Sequence, residues 1–362
     1  MRDSINFLID KINDLSKKME SKEISIMEVC GTHTHIIYEN GTKEILPKNI
    51  RLLSGPGCPI CVTDISFIDN AIAMARLGAT IITFGDIAKV KGSSTSLWEE
   101  RKNGVDLKLI YSVSSIIEIC KENTHKLFVF LGIGFETTAP LIATIIKRAY
   151  EEGIKNLYFY TSIKIMPPII EKLIKTTSIN GLILPGNVAV ILGESEFRDL
   201  FTNTKIPGVI AGFTLEDILI SIYYITKQCI DMDKEKKKDI NLYNVYKSFV
   251  SFQGNERAKE TLKETFQLET GLWRGMGSIP ASALVIKDKY RELNAIGKFG
   301  LSENSLDNSN NILGCKCSEV IMGRTTPYGC SLFRKACNSE NPIGPCMVSM
   351  EGACYCAYKF GS

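Results

Sequence analysis

The chain has 362 residues, of which 44% are hydrophobic, and its 43 Lys and Arg against 40 Asp and Glu give a formal net charge of +3. This length and apolar content predict two or three folded units. The small, evenly spread charge argues against nucleic acid as a main partner, and no apolar run reaches the roughly 18 to 20 residues that cross a bilayer.

The first 22 residues predict an amphipathic helix, because Ile5, Leu8, Ile9, Ile12 and Leu15 recur at helical spacing. Neither an export signal nor a lipidation motif is visible, so we expect a cytoplasmic protein without a membrane partner. In that reducing compartment a disulfide framework is disfavoured. The 12 cysteines therefore predict metal or redox chemistry.

Residues 23 to 230 alternate short β-rich runs with helical segments, which predicts βαβ units and mostly parallel sheets with ligand sites at strand ends. One sheet would have to be very large, so we predict two α/β domains, residues 1–150 and 151–300. The Lys- and Glu-rich residues 232–270 predict a solvated helical connector. The candidate strands are ISIMEV, ATIITFG, LKLIYS, KLFVFLGIG, NLYFYTS, GLILPG and GVIAGF.

Cys30 follows the first strand, in MEVCGTHTH, and we expect its thiol at a strand end facing a cleft. If the segment stays extended, His33 and His35 share one face. A thiolate with imidazoles suits iron or zinc, and the imidazoles are alternatively proton carriers.

Cys58 and Cys61 form a Cys-x-x-Cys pair in the Gly- and Pro-rich stretch SGPGCPICVTD, where Thr63 or Asp64 is a candidate cap for the next helix. In a cytosolic protein such a pair supports thiol–disulfide exchange or half of a metal site. Cys30 and one histidine would complete four zinc ligands. A turn with incidental sulfur is the third interpretation.

Glu136 and Thr137 lie in GIGFETTAP, directly after a strongly apolar strand. A carboxylate and hydroxyls at the carboxyl edge of a parallel sheet are typical of a polar site, where Glu136 orients an imidazole or moves a proton. Helix capping plus a surface glutamate explains the segment equally well. LPGNV, FGD and WRGMGSIP are equally weak patterns, and none is a phosphate-binding loop.

The polar residues 303–311 predict a linker to a small cysteine-rich domain, residues 301–362, which has too little apolar sequence to fold well without a staple. The spacing Cys315-x14-Cys330-x6-Cys337-x16-Cys354 allows long loops to wrap one [4Fe-4S] cluster, although seven cysteines leave the choice of four ligands open. Zinc is the alternative, but zinc sites usually have two close Cys-x2–4-Cys pairs. The seven are Cys315, Cys317, Cys330, Cys337, Cys346, Cys354 and Cys356.

Taken together, several segments resemble the signature sequences of the HypD family of hydrogenase-formation proteins, and the resemblance runs from about Ser25 to Tyr358. It implies two Rossmann-like α/β domains around a cleft, plus a small [4Fe-4S] domain. It also implies a redox-active scaffold, rather than a conventional turnover enzyme, that assembles the Fe(CN)2CO unit of [NiFe]-hydrogenase with a HypC-type chaperone and a HypE-type cyanide donor. The segments are MEVCGTHTH, SGPGCPICVT, GFETTAP, PGNV, VIAGFTLEDIL, WRGMGSIPAS and GPCMVSMEGAC.

The resemblance also implies residue roles. Cys30 would bind the transient iron unit jointly with a cysteine of the chaperone, with His33 and His35 beside it. Cys58 and Cys61 would be a redox pair that relays electrons from the cluster. Glu136 and Thr137 would line the same cleft, and the cluster ligands would be Cys315, Cys330, Cys337 and Cys354.

This chain departs from the family at Asn187, which stands where the family usually has histidine. Asn keeps a hydrogen-bond donor and acceptor but no titratable group. Two other functions stay open. One is a stand-alone thiol–disulfide oxidoreductase with an iron–sulfur cluster, and the other is a zinc-stapled α/β binding protein.

Overall fold

The computed structural model describes residues 2–19, 22–202, 204, 206–233, 242–301 and 314–361. Within these ranges the chain forms two β-sheets with helices packed against them. The strands are β1 Ile24–Glu28, β2 Ile50–Ser54, β3 Thr80–Thr83, β4 Leu107–Leu109, β5 Phe128–Gly134, β6 Leu157–Lys164, β7 Gly181–Pro185, β8 Gly208–Ala211, β9 Leu242–Asn244, β10 Phe266–Trp273 and β11 Gly277–Ile286.

Helices lie before the first strand, in most of the connections between strands and after the last strand. They are α1 Arg2–Lys17, α2 Gly31–Glu39, α3 Thr42–Ile45, α4 Pro59–Val62, α5 Ile65–Arg76, α6 Gly85–Lys89, α7 Leu97–Glu100, α8 Ile116–Glu122, α9 Ala139–Glu151, α10 Met166–Thr176, α11 Gly186–Leu192, α12 Glu194–Phe201, α13 Leu215–Asp233, α14 Glu256–Thr265, α15 Ala295–Phe299, α16 Cys317–Ile321, α17 Pro345–Val348 and α18 Ala353–Phe360.

The first sheet has the order β2-β1-β7-β8-β9, and all its described pairings are parallel. Strand β1 lies between β2 and β7, and its middle residue Ile26 pairs with Leu52 of β2 and Gly181 of β7. The second sheet has the order β10-β11-β6-β5-β3-β4, in which β3 to β6 pair in parallel and the β10–β11 hairpin is added antiparallel. Two mostly parallel sheets confirm the predicted α/β class.

The strands form where the sequence is continuously apolar. In β5, all of FVFLGIG is buried, as expected for a strand covered by helices on both faces. Helix α9 covers it with a stripe of buried residues at helical spacing, among them Ile142, Ile145 and Ile146. All seven predicted strands are present, and the predicted N-terminal helix is α1.

The strands of the two sheets do not follow the predicted boundary at residue 150. β5 and β6 lie on either side of that residue and pair with each other, whereas β1 and β2 join β7 from the later part of the chain. The predicted connector 232–270 is helical in α14, but it also contains β9 and the start of β10. The predicted linker 303–311 and residues 234–241 lie outside the described residues.

Parallel pairing brings several motifs to the same edge of the first sheet. Cys30 follows β1, the Gly-rich loop before Cys58 follows β2, and Asn187 lies just after β7. The cysteine-rich segment 314–361 contributes α16 and α17, which contact α4, and α18, which contacts α2. In the described part of the chain, no helix is both long and apolar enough to cross a membrane.

Asp64 caps α5, and its removal should measurably weaken the fold. Its carboxylate accepts from the Ser66 backbone N–H at 2.9 Å and from the Ser66 hydroxyl at 2.7 Å. We expect Asp64→Ala to lower the free energy of unfolding by about 1 kcal/mol, measured by urea denaturation. The reason is that the backbone N–H and the hydroxyl of Ser66, both partly buried, lose their acceptor. Asp64→Asn should lose much less. Equal losses in both variants would contradict capping as the reason.

Candidate metal and redox site

Cys30 ends β1 and begins α2. Its backbone is extended, with φ −145° and ψ 126°, and its N–H donates to Glu28 Oε2 at 3.1 Å. Because the helix starts at Gly31, His33 and His35 lie on different faces of it, since residues two apart on a helix do not face each other. The prediction that both histidines share one face of an extended segment is therefore wrong.

The loop Gly55–Gly57 closes directly over Cys30. A Cβ on Gly57 would overlap the backbone nitrogen of Cys30, and one on Gly55 would lie 2.5 Å from the Glu28 carbonyl oxygen. The Gly31 N–H donates to the Gly57 carbonyl at 3.1 Å. The two glycines are therefore required by close backbone approach, which places the Cys-x-x-Cys loop against the Cys30 backbone.

The two histidines have separate surroundings. His33 is fully buried, stacks on Phe213 at 5.0 Å, and donates through Nε2 to the Gly212 carbonyl at 2.9 Å. Burial lowers the pKa of His33 to about 4, so the ring is neutral at pH 7. His35 is half-buried, with Nδ1 3.4 Å from the Met350 carbonyl and its ring edge-on to Phe360. His33 thus faces the first sheet, and His35 faces the cysteine-rich segment.

Glu28 is a site residue that the sequence reasoning missed. It is buried in β1 and accepts hydrogen bonds from the Cys30 N–H and the Thr34 hydroxyl. Burial raises the pKa of Glu28 to about 8, although these hydrogen bonds and the charge of Lys43 oppose the shift. A single acid inside the buried strand ISIME was the available signal, because such a group must be satisfied locally.

Glu351 reaches the first turn of α2 from the cysteine-rich segment. Its Oε1 accepts from the Thr32 hydroxyl at 2.8 Å, and a Cβ on Gly31 would lie 2.6 Å from the Glu351 Cβ. Desolvation raises the pKa of the Cys30 thiol to about 12, and the carboxyl groups of Glu351 and Glu28 add to it, while backbone N–H groups of α2 act in the opposite direction. Cys30 is therefore a half-buried thiol that is neutral at pH 7.

Cys58 and Cys61 lie on α4, with Cys58 as its N-cap. The Cys61 N–H donates to Cys58 Sγ at 3.3 Å, and the two sulfurs, both free thiols, are 2.7 Å apart. Burial opposes ionisation of Cys61, but hydrogen bonds from the Cys346 and Cys58 thiols and the charge of Arg274 lower its pKa below the usual range. Burial and the contact with Cys61 raise the pKa of Cys58. The directions of the two pKa shifts favour Cys61 as the sulfur of the pair that ionises first.

A second cysteine pair lies behind the first. The sulfurs of Cys317 and Cys346 are 2.6 Å apart, and Cys346 also contacts Cys61. Neither residue was among the predicted ligands. The close spacing of Cys315 and Cys317 and the motif GPCMVSMEGAC drew attention to the segment, but nothing local in the sequence indicates which sulfurs meet.

Six cysteines surround one small cavity in the cysteine-rich segment, together with the apolar side chains of Leu332, Phe333 and Met347. Gly344 completes the wall, where a Cβ would lie 2.6 Å from Cys315 Sγ. All four predicted cluster ligands are among the six. Cys356 lies elsewhere and donates to the Met350 carbonyl at 3.3 Å. The six are Cys315, Cys317, Cys330, Cys337, Cys346 and Cys354.

The donor set fits an iron–sulfur cluster in type and number. A cubane takes four thiolates, one on each iron, so its ligands surround a cavity rather than converge on one point. Among the described residues, no group of three or more His, Cys, Asp or Glu side chains is placed to hold a single metal ion. Apolar side chains line the cavity and four of its six cysteines are buried, which suits a redox centre.

The turn between β10 and β11 packs against the Cys-x-x-Cys helix. The Arg274 backbone N–H donates to the Val62 carbonyl at 2.9 Å, and its Nε donates to the Thr63 carbonyl at 2.8 Å. Next to it, the Trp273 indole donates to Ser282 Oγ at 2.8 Å and stacks on Phe135 at 6.2 Å. The segment WRGMGSIP, only a weak pattern in the sequence, is thus part of the site.

Glu136 is buried, with 1% of its surface exposed, so it is not a surface glutamate. Its Oε1 accepts from the Met166 N–H at 2.6 Å, and Oε2 has no hydrogen-bond partner among the described residues. Burial raises the pKa of Glu136 to about 7. Thr137 beside it is exposed. Glu136 accepts from a backbone N–H and not from an imidazole. The residue before it, Phe135, stacks on Trp273.

Asn187 is exposed in the first turn of α11. The glycine before it is tightly packed, because a Cβ on Gly186 would overlap the Ala211 carbonyl oxygen. The chain therefore presents an amide at this sheet edge, close to the strand end that also carries Gly212.

The sequence is similar to those of known proteins along almost its whole length. A family model described as HypD, hydrogenase formation hypA family, matches residues 3–361. A putative hydrogenase expression/formation protein of Methanocaldococcus jannaschii is 35% identical over 97% of this chain and 96% of its own length. The hydrogenase maturation factors HypD of Azotobacter vinelandii and Escherichia coli are 34% and 30% identical, over 94% and 98% of this chain and 90% and 94% of their own lengths.

Glu136 should make stability depend on pH. Its pKa is about 7 in the folded chain against 4.5 when unfolded, so the folded state holds the proton more tightly, and the stabilisation present below pH 4.5 is lost as pH rises through 7. Urea unfolding of wild type and Glu136→Gln between pH 5 and 8 should differ in slope, by about 3 kcal/mol over the whole titration. The exposed Glu122→Gln is the control. Parallel pH profiles for wild type and Glu136→Gln would contradict the assignment.

Proposed function

Because the chain belongs to the HypD family of hydrogenase-formation proteins, we propose that it serves hydrogenase maturation as the scaffold on which the Fe(CN)2CO unit is assembled. The observation that carries this proposal is a series of neighbouring sulfur sites. It starts at the half-buried Cys30, whose backbone contacts the loop before Cys58, passes the pairs Cys58/Cys61 and Cys317/Cys346, and ends at the six-cysteine cavity to which the second pair belongs. Four of the six cavity cysteines are buried.

Cys30 anchors the iron of the substrate. A soft thiolate suits a low-spin iron centre, and metal binding replaces the proton that the thiol holds in the free protein. The N-terminal N–H groups of α2 stabilise the resulting negative charge, and the bond from the Cys30 N–H to Glu28 fixes the thiol's backbone. A HypC-type chaperone supplies a second cysteine to the same iron, and a HypE-type protein donates cyanide.

The two cysteine pairs exchange reducing equivalents through contacting sulfurs. The Cys346 thiol attacks Cys61 in a Cys58–Cys61 disulfide and loses its proton, and Cys58 leaves and takes up a proton. Cys317 then attacks Cys346, which forms the Cys317–Cys346 disulfide and releases Cys61. Two electrons pass from one pair to the other with no external reactant. The contacts of 2.6 Å and 2.7 Å within the pairs and the hydrogen bond between Cys346 and Cys61 support this order.

Cys315, Cys330, Cys337 and Cys354 would hold the [4Fe-4S] cluster, which supplies single electrons at low potential when bound. The contact between Cys317 and Cys346 supports this choice, because it leaves these four sulfurs around the cavity.

A stand-alone thiol–disulfide oxidoreductase is a weaker proposal. Cys58 and Cys61 are 5% and 1% exposed, and a protein substrate has no access to sulfurs so deeply buried. Among the described residues, Cys61 contacts Cys346 of the protein's own cysteine-rich segment.

Replacing Cys30 should stop iron binding while the rest of the protein stays intact. When Cys30→Ala is co-expressed with the HypC-type and HypE-type partners, we expect loss of the infrared bands of bound cyanide and carbon monoxide, with the brown colour of the cluster retained. Cys120→Ala is the matched control, since Cys120 is buried in a separate core around Ile117 and Ile146. Infrared bands that persist in Cys30→Ala would remove Cys30 from the ligands of the iron.

The four proposed cluster ligands and the Cys317/Cys346 pair should respond differently to mutation in a metal analysis. We expect Cys337→Ala to lose iron, acid-labile sulfide and the broad absorption near roughly 400 nm that a cubane gives, and Cys317→Ala to keep all three while losing the exchange of electrons with Cys58/Cys61. Anaerobic preparation and the ratio of iron to zinc per chain provide the measurement. Colourless zinc protein, or loss of iron in Cys317→Ala, would contradict the proposed ligands.

A further inference from the structure

Arg274 is a buried cation that forms no ion pair with a carboxylate among the described residues. The residue is 7% exposed, and within that part of the chain its Nη2 has no hydrogen-bond partner and the ion pairs all involve other residues. Burying a charge is costly unless an opposite charge or sufficient hydrogen bonds compensate it. Its two hydrogen bonds, from the backbone N–H and from Nε, go to neutral carbonyls. These bonds supply no negative charge to compensate that of the guanidinium.

Arg274 is held in place by residues that are adjacent in sequence to both cysteine pairs. Its bonds end on the carbonyls of Val62 and Thr63, the two residues that follow Cys61. The next residue, Gly275, has φ +71°, and a Cβ there would overlap Ser318, the neighbour of Cys317. The turn is thus wedged between α4 and α16, and the guanidinium has little freedom to move away from Cys61.

The groups around Cys61 come from four elements. Cys58 lies on α4, Cys346 on α17, Glu351 before α18 and Arg274 on the β10–β11 turn, and all four act on the Cys61 thiol. Arg274 is the cation of this set. The Glu351 carboxyl group opposes ionisation of Cys61, but it already accepts from the Thr32 hydroxyl and lies towards α2.

We propose that Arg274 is a positioning residue for redox exchange, whose buried guanidinium is the countercharge of a thiolate on Cys61 and so makes Cys61 the sulfur that communicates with the cysteine-rich segment. This inference deepens the proposed function and rests on the redox role of the Cys58/Cys61 pair. In the second exchange step, the Cys61–Cys346 bond breaks, the Cys317–Cys346 bond forms, and the bonding electron pair stays on Cys61. A fixed cation beside Cys61 stabilises that leaving thiolate.

The consequence is measurable as a redox equilibrium. A charge that stabilises the thiolate stabilises the reduced pair, which makes the disulfide easier to reduce. Arg274→Met removes the charge at similar volume, Arg274→Lys keeps it without the planar fork, and Arg257→Met makes the same change at an exposed position on α14.

The purified, cluster-loaded protein is equilibrated without air in dithiothreitol buffers of graded potential, quenched with acid and alkylated. Mass spectrometry of the peptide with Cys58 and Cys61 then gives the fraction oxidised. We expect Arg274→Met to shift the equilibrium at least tenfold towards the disulfide, which is about 30 mV for a two-electron couple. Arg274→Lys should recover at least half of this shift on a logarithmic scale, and Arg257→Met should match wild type.

A second readout does not need the disulfide. In Cys58→Ala backgrounds, alkylation of Cys61 by iodoacetamide is followed against pH, and Arg274→Met should raise the half-maximal pH by at least one unit. If wild type forms no reversible Cys58–Cys61 disulfide, the redox part of the proposed function fails, and the alkylation profile still decides the role of Arg274. A lower melting temperature in Arg274→Met with unchanged potential and unchanged alkylation profile would reduce Arg274 to a structural residue and overturn the inference.

Discussion

The backbone of Gly57 lies against the backbone of Cys30, and the remaining parts of the site depend on that approach. No side chain fits between the two segments, so the loop after β2 stays directly above the end of β1. The pairing of β1 with β2 brings the loops to the same edge of the sheet, and the hydrogen bond from Gly31 to Gly57 joins them. Cys30 and the Cys-x-x-Cys pair are therefore neighbours because of sheet topology and the absence of two side chains.

Around this contact the chain buries several ionisable groups that an ordinary core would exclude. Glu28 and Glu136 have raised pKa values because burial disfavours the carboxylate, and His33 has a lowered one because burial disfavours the imidazolium. Arg274 remains charged within the same region. Groups of this kind reduce stability unless they are paired, so their concentration along the sulfur series indicates a region selected for chemistry rather than for folding.

Local sequence patterns were sufficient for seven of the described strands, but not for β2, β9, β10 and β11 or for the contacts between distant segments. Continuous apolar runs such as FVFLGIG predict buried strands, and the rule that ligand sites lie at strand ends located the Cys30 loop. GTHTH has no helical periodicity, so the helix that separates His33 from His35 was not predictable, and the polar residues of β10 concealed its strand. The contacts of Cys317, Cys346 and Arg274 arise from tertiary packing between distant segments. Arg274 and Thr63, for example, are 211 residues apart in the sequence. No short sequence pattern encodes such contacts.

The interleaved order of the first sheet has a consequence for biosynthesis. β1 and β2 are made first, but β1 has its second neighbour only when β7 has been synthesised, and Glu351 closes over α2 only when nearly the whole chain exists. Such non-local pairing makes folding slow. During translation, Cys30 therefore stays without this enclosure until Glu351 has been made, 319 residues after its partner Thr32, so the final surroundings of the thiol form long after the strand that carries it.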